Sequence, residues 1–276
     1  MATFIKRRPL LTYYLLTFAI SWGGFVAVLG PGSLANTDWE AAGAFFWAVV
    51  AMLSGPSIAG LLLIGLVDGR AGYRELFMRL CKWRVGIGWY AVAILTAPVV
   101  CGGVLLVLSV TSPLLTADNK TTILVGGLGA GVLTILEEVG WTGFVTPRLR
   151  RGHSVPMTGL IVGVLWGLWH LLQQISISGT YVGGMSLVVF LPLSIAAAIA
   201  NLTAFRMLMV WVYEHTGSLL VATVMHGMLT ASSIFWFTAS ATGAVFLADE
   251  WLVAVVMWLL VAAVAVRDGW LRPQEA

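Results

Sequence analysis

Roughly eight times between residues 10 and 266 the sequence runs for about 20 residues with almost no charge. The runs fall at 10–29, 42–67, 89–110, 121–146, 156–174, 185–204, 218–237 and 249–266. A helix of that length crosses a bilayer core of about 30 Å. Inside lipid, backbone polar groups must be satisfied within the chain, which permits only helix bundles and closed barrels. Barrel strands need only about 9–11 residues, so these runs predict helices. The fold class expected is all-α: a polytopic membrane protein of eight transmembrane helices. Composition agrees, with 59% hydrophobic and 10% charged residues where a soluble domain carries about 25% charged. No soluble domain or low-complexity segment interrupts the pattern, so residues 1–276 read as one transmembrane domain.

The first run follows Lys6, Arg7 and Arg8. At about 20 residues it exceeds the apolar core of a cleaved signal peptide, about 7–15 residues, and predicts an uncleaved span. With the N-terminus inside, every Lys and Arg of the 15 except Lys120 falls in an inner segment, Arg206 among them. That asymmetry predicts both termini on the cytoplasmic side of a multi-pass protein of the cell (inner or plasma) membrane. The net charge of +3 thus serves topology and does not indicate a nucleic-acid partner. Gly55-Pro56 predicts a kink in the second span, since proline removes a backbone donor. Segment 73–90 sets Leu76, Phe77, Leu80 and Trp83 against Glu75, Arg79 and Lys82, which reads as a basic amphipathic helix at the inner surface. Cys81 and Cys101 are too few for a disulfide framework.

Four ionisable residues fall inside the predicted spans, away from their ends: Glu137 and Glu138 in the fourth, His170 in the fifth, His226 in the seventh, while Asp249 and Glu250, at the edge of the eighth run, read as part of the outer segment before it. A carboxylate at a helix centre costs about 2.5–3.5 kcal/mol on insertion scales. The pair must therefore face the bundle interior, a wet cavity or partner groups, and such residues are functional candidates. At 1.5 Å per residue, Glu137 and His226 lie roughly 12–15 Å from the inner surface and His170 roughly 18–21 Å. Gly127 and Gly131, and Gly163 and Gly167, have the spacing that lets helices approach closely. Gly140 leaves space beside Glu137. A carboxylate with two imidazoles can activate water and stabilise an oxyanion. Glu137, His170 and His226 also match the ligand set of a catalytic zinc site. Trp166 reads as packing, and Gln173, Gln174 and Asn201 as interhelical hydrogen bonds.

The stretches "EEVGWTGF" (137–144), "LWGLWHLL" (165–172) and "GSLLVATVMHGMLTASS" (217–233) resemble, in order and spacing, the motifs of the CAAX prenyl endopeptidase and bacteriocin-processing (Abi, CPBP) family of intramembrane proteases. The resemblance covers about residues 70–235. It implies an intramembrane endopeptidase with a cavity open to the cytosol, acting on a peptide or lipidated-protein substrate. Glu137 would activate the water, His170 would hold it, and His226 would face the oxyanion. Glu138 would assist, and no cofactor is required, although a metal mechanism with zinc at Glu137, His170 and His226 is compatible with the set. Two positions depart from the pattern. Thr142 stands where the family has arginine, so Glu138 lacks its partner one turn on and must find another or stay protonated. Thr230 stands where the family has asparagine, with a hydroxyl of shorter reach; Asn201 is a candidate to compensate. Two other readings stay open: a non-proteolytic scaffold or immunity protein, and a proton-coupled transporter.

Overall fold

The computed structural model describes residues 2–30, 42–110, 120–236 and 241–270. Among them the chain is helical, with no strand. A short α1 (Ala2–Arg7) leads into α2 (Pro9–Leu29), whose first position is a proline that has no amide hydrogen to leave unpaired. Next come α3 (Ala42–Val67), α4 (Gly69–Leu80) and α5 (Ile87–Ser109). The fourth predicted span is composite: α6 (Lys120–Leu133), α7 (Ile135–Gly140), a π-helical turn (Trp141–Val145) and α8 (Thr146–Leu149). The fifth is also broken, into α9 (Val155–Trp169) and α10 (Leu171–Tyr181), which meet at 56°. Then follow α11 (Leu187–Thr216), α12 (Leu219–Trp236) and α13 (Gly243–Arg267).

Six helices among the described residues are long and apolar enough to cross a membrane, or seven if the bent α9–α10 pair counts as one span. The apolar part of α12, Leu219–Ile234, is shorter. Leucines and valines such as Leu15, Leu62, Val99 and Leu259 stay exposed on the outer faces of these helices, as a lipid-facing surface requires. The basic helix expected within 73–90 is α4, which ends before Trp83. Leu76 is buried while Phe77 is exposed. Pro56 lies inside α3.

Two predicted boundaries shift in ways that matter. The sixth span does not stop at 204 but continues to Thr216, where Gly217 takes the left-handed conformation (φ 59°) and returns its N–H to the Tyr213 carbonyl at 2.7 Å. Arg206, expected in an inner loop, is therefore inside a span and fully buried. One arginine does not end a helix whose next residues, Met207–Tyr213, remain apolar and buried. The eighth span starts at Gly243, so Asp249 and Glu250 lie within a helix rather than in an outer segment.

The glycine pairs mark tight crossings. A Cβ on Gly131 would stand 2.7 Å from the Gly227 carbonyl, joining α6 to α12. One on Gly163 would stand 2.7 Å from Thr203 Cα, joining α9 to α11. Gly140 serves the same purpose, pressed against the Pro56 carbonyl of α3 and the Tyr13 hydroxyl of α2. It therefore brings helices together and does not leave space beside Glu137. The core so formed packs Trp141, Phe144, Trp166, Trp169 and Phe205 around the fourth, fifth and sixth spans.

Candidate active site

The site begins where the fourth span loses its regularity. The Thr134 hydroxyl takes the Gly131 carbonyl at 2.7 Å, at the joint between α6 and α7. The Ser57 hydroxyl of α3 donates to the Leu136 carbonyl at 2.6 Å. Between them α7 carries Glu137 and Glu138, 3% and 0% exposed. The π turn follows immediately, and the Thr146 N–H and hydroxyl both reach back to the Trp141 carbonyl. Such turns widen a helix by one residue and often adjoin functional sites.

Glu138 does not lack a partner. The Arg206 guanidinium from α11 grips it with two bonds of 2.9 Å, one to each carboxylate oxygen. This fork-on-fork pairing is the strongest hydrogen-bond geometry open to these groups. Thr142, one turn after Glu138, donates its hydroxyl to the same carboxylate and lies 3.3 Å from the guanidinium. The arginine absent from the motif position is thus supplied by another helix, and Thr142 leaves room for it. Of the two alternatives left to Glu138, another partner or a retained proton, the structure supplies the partner. Arg206 also lies over the Trp166 ring at 4.1 Å, a cation–π contact that covers its apolar face.

His226 on α12 completes the chain. It is 2% exposed, and its Nδ1 donates to Glu138 Oε1 at 2.8 Å. That bond sets the ring so that Nε2 faces Glu137 Oε1 at 3.8 Å. The other Glu137 oxygen accepts the Trp166 indole N–H at 2.7 Å. Trp166, expected to be packing, therefore holds the carboxylate and also meets the His226 ring edge-on at 4.9 Å. Arg206, Glu138, His226 and Glu137 form one line of alternating groups. It resembles a carboxylate-oriented histidine, in which the outer acid fixes the ring and leaves the far nitrogen for chemistry.

His170 sits at the break between α9 and α10 and is half-buried. Its Nδ1 is 2.9 Å from the Trp166 carbonyl. A carbonyl only accepts, so Nδ1 carries the proton and Nε2 is the ring nitrogen left over. Glu137 and His226 lie within electrostatic range of this ring, and Trp166 touches all three residues. Thr230, one turn past His226, is half-buried and makes none of these contacts. Nor does Asn201, whose side-chain oxygen is buried without a hydrogen bond.

The metal reading fares differently. Among the described residues no group of three or more His, Cys, Asp or Glu side chains stands close enough to hold an ion. His226 Nδ1 is engaged by Glu138, and one oxygen of Glu137 is engaged by Trp166. As they stand, Glu137, His170 and His226 are not drawn together into a three-ligand group.

Two residues of the site escaped the sequence reading. Arg206 could have been found by following the apolar run past 204. Trp166 gave only its position one turn before His170.

Residues 119–232 match the family model described as Rce1-like, type II CAAX prenyl endopeptidase Rce1-like. Among curated proteins none matches the chain. The matched segment holds Glu137, Glu138, Thr142, Trp166, His170, Arg206 and His226, and over it the chain is similar to the CAAX prenyl endopeptidases, a family of proteases.

Proposed function

We propose that the protein is an intramembrane endopeptidase that hydrolyses a peptide bond with a water activated by Glu137. The observation that carries this reading is the meeting of Glu137 and His226, from separate spans, with one Glu137 oxygen turned toward His226 Nε2 at 3.8 Å. Arg206 neutralises Glu138, so Glu137 is the carboxylate free to work as a base. It takes a proton from the water, and the hydroxide adds to the scissile carbonyl. A second proton on His226 Nε2, in addition to the one that Nδ1 gives Glu138, would face the developing oxyanion, with His170 beside it. Glu137 then returns the proton to the amine as the C–N bond breaks, giving one carboxylic acid and one amine. The substrate class is a peptide or a lipidated protein reached from the bilayer.

The basic residues support a reading of eight crossings with both termini cytoplasmic, in which the site would lie in the inner half of the membrane and substrate would reach it from the cytosolic side. A second reading, a non-proteolytic scaffold or immunity protein, draws support from Thr230, which stands where the family motif has asparagine. Cleavage of a membrane-presented peptide by the reconstituted protein separates the two. Glu137→Gln and His170→Ala should abolish cleavage with folding retained. Cleavage at the wild-type rate by both variants overturns the Glu137 mechanism, and no cleavage by the wild-type protein overturns the protease reading.

A further inference from the structure

A second polar cluster lies away from the charge chain, and the mechanism does not use it. Glu250 of α13 accepts the Ser194 hydroxyl of α11 at 2.8 Å and the Gln174 amide of α10 at 3.3 Å. The same amide also donates to Ser194 at 2.6 Å. Ser194 is fully buried, and the three residues come from three helices. A carboxylate inside a span is costly unless something is gained by it.

What is gained is visible from α10. This helix leaves α9 at a 56° bend, and the residue at the bend is His170. The Gln174 N–H bonds the His170 carbonyl at 3.0 Å, so Gln174 opens the first turn after the histidine. Seven residues on, Tyr181 stacks on Phe246 of α13 at 4.4 Å. Phe246 and Glu250 are one turn apart on α13, and they meet residues two turns apart on α10. The N-terminal half of α13 therefore holds α10 at a polar point beside His170 and an apolar point at the far end. Both points belong to a helix outside the matched segment 119–232.

We propose that Glu250, with Ser194, is a positioning residue for His170, acting through Gln174 and the orientation of α10. The inference rests on the protease reading for its effect on turnover, but the tether itself stands on the hydrogen bonds. A displacement of about 1 Å at a reacting group costs up to about a hundredfold in rate.

The test combines amide hydrogen exchange with turnover in the reconstituted full chain. Glu250→Leu should raise exchange across residues 171–181 about tenfold or more, as expected for a helix that opens locally, and leave α2 and α9 unchanged. It should lower kcat about 10–100-fold with KM within about threefold. Glu250→Gln keeps one acceptor oxygen for the Gln174 amide and turns an NH2 toward the Ser194 oxygen, so it should fall between wild type and Glu250→Leu. Adding Gln174→Leu to Glu250→Leu should cost less than the sum of the two alone, since they share the Gln174–Glu250 link and only the Gln174–Ser194 bond remains to be lost. Where leucine at 250 prevents folding, Ser194→Ala should show the same exchange change at lower amplitude. Wild-type exchange over 171–181 in Glu250→Leu and Ser194→Ala overturns the proposal. So does a Glu250→Gln variant as impaired as Glu250→Leu. A wild-type chain that cleaves nothing, beside a loosened α10 in Glu250→Leu, removes the protease reading and leaves the tether standing.

Discussion

Replacing Arg206 with methionine tests the charge chain directly. Both partners of the Arg206–Glu138 pair are 0% exposed, so methionine removes a cation and leaves a carboxylate stranded in the protein interior. Breaking a buried pair from one side costs about 3–5 kcal/mol. At about 2 °C per kcal/mol for a chain of this size, the midpoint of thermal unfolding in detergent should fall roughly 6–10 °C. The decisive arm is the double variant Arg206→Met with Glu138→Gln. It removes both charges, and a buried pair replaced whole is often close to neutral. The double variant should therefore unfold above Arg206→Met alone, recovering about half of the loss or more. Differential scanning fluorimetry on the three proteins reads this out. Equal midpoints for Arg206→Met and wild type, or a double variant less stable than Arg206→Met, would refute a paired Glu138.

Three further substitutions probe the neighbours. Thr142→Arg restores the residue of the family motif but adds a second guanidinium beside Arg206, so it should destabilise by about 2–4 kcal/mol; combined with Arg206→Met it should recover most of that, because one arginine then serves Glu138 again. Trp166→Phe keeps the ring and loses the N–H that holds Glu137, so kcat should drop about tenfold, equivalent to a charge-assisted bond of roughly 1.5 kcal/mol, with little change in midpoint; an unchanged kcat would show that the carboxylate needs no such hold. Gly163→Ala would place its Cβ 2.7 Å from Thr203 Cα and should cost about 1–3 kcal/mol by overpacking, measured against Gly129→Ala, where the added Cβ has no neighbour within 4 Å.

The sequence exposed the acids and imidazoles because lipid makes such residues conspicuous. Glu137, Glu138 and His226 stand out in runs where every other choice is apolar, and the coordinates bring them into one chain of contacts. Arg206 was hidden by the logic that found them. An arginine near the inner end of a span is normal at a cytoplasmic boundary, and nothing local says that it points inward. Its burial depends on Glu138, 68 positions earlier, and on the gap that Thr142 leaves. Trp166 was hidden because apolar packing and N–H donation use the same residue. The bend at His170 was unreadable from hydropathy, which runs smoothly from 156 into 174. Glu250 was misplaced because Asp249 and Glu250 together look like an outer loop, whereas Ser194 and Gln174 draw the second of them into the helix bundle.

The π turn at Trp141–Val145 bears on how the fourth span could change. It holds one residue more than an α-turn needs, so removing a single residue there would let an ordinary α-helix close without a gap. The helix on either side would keep its present faces, because the wider turn absorbs the extra residue within itself. The extra residue is a register joint. Upstream of it Glu137 and Glu138 answer to the charge chain, downstream Arg148 lies over the Phe144 ring, and a one-residue deletion in the regular helix elsewhere in the span would turn one against the other by about 100°.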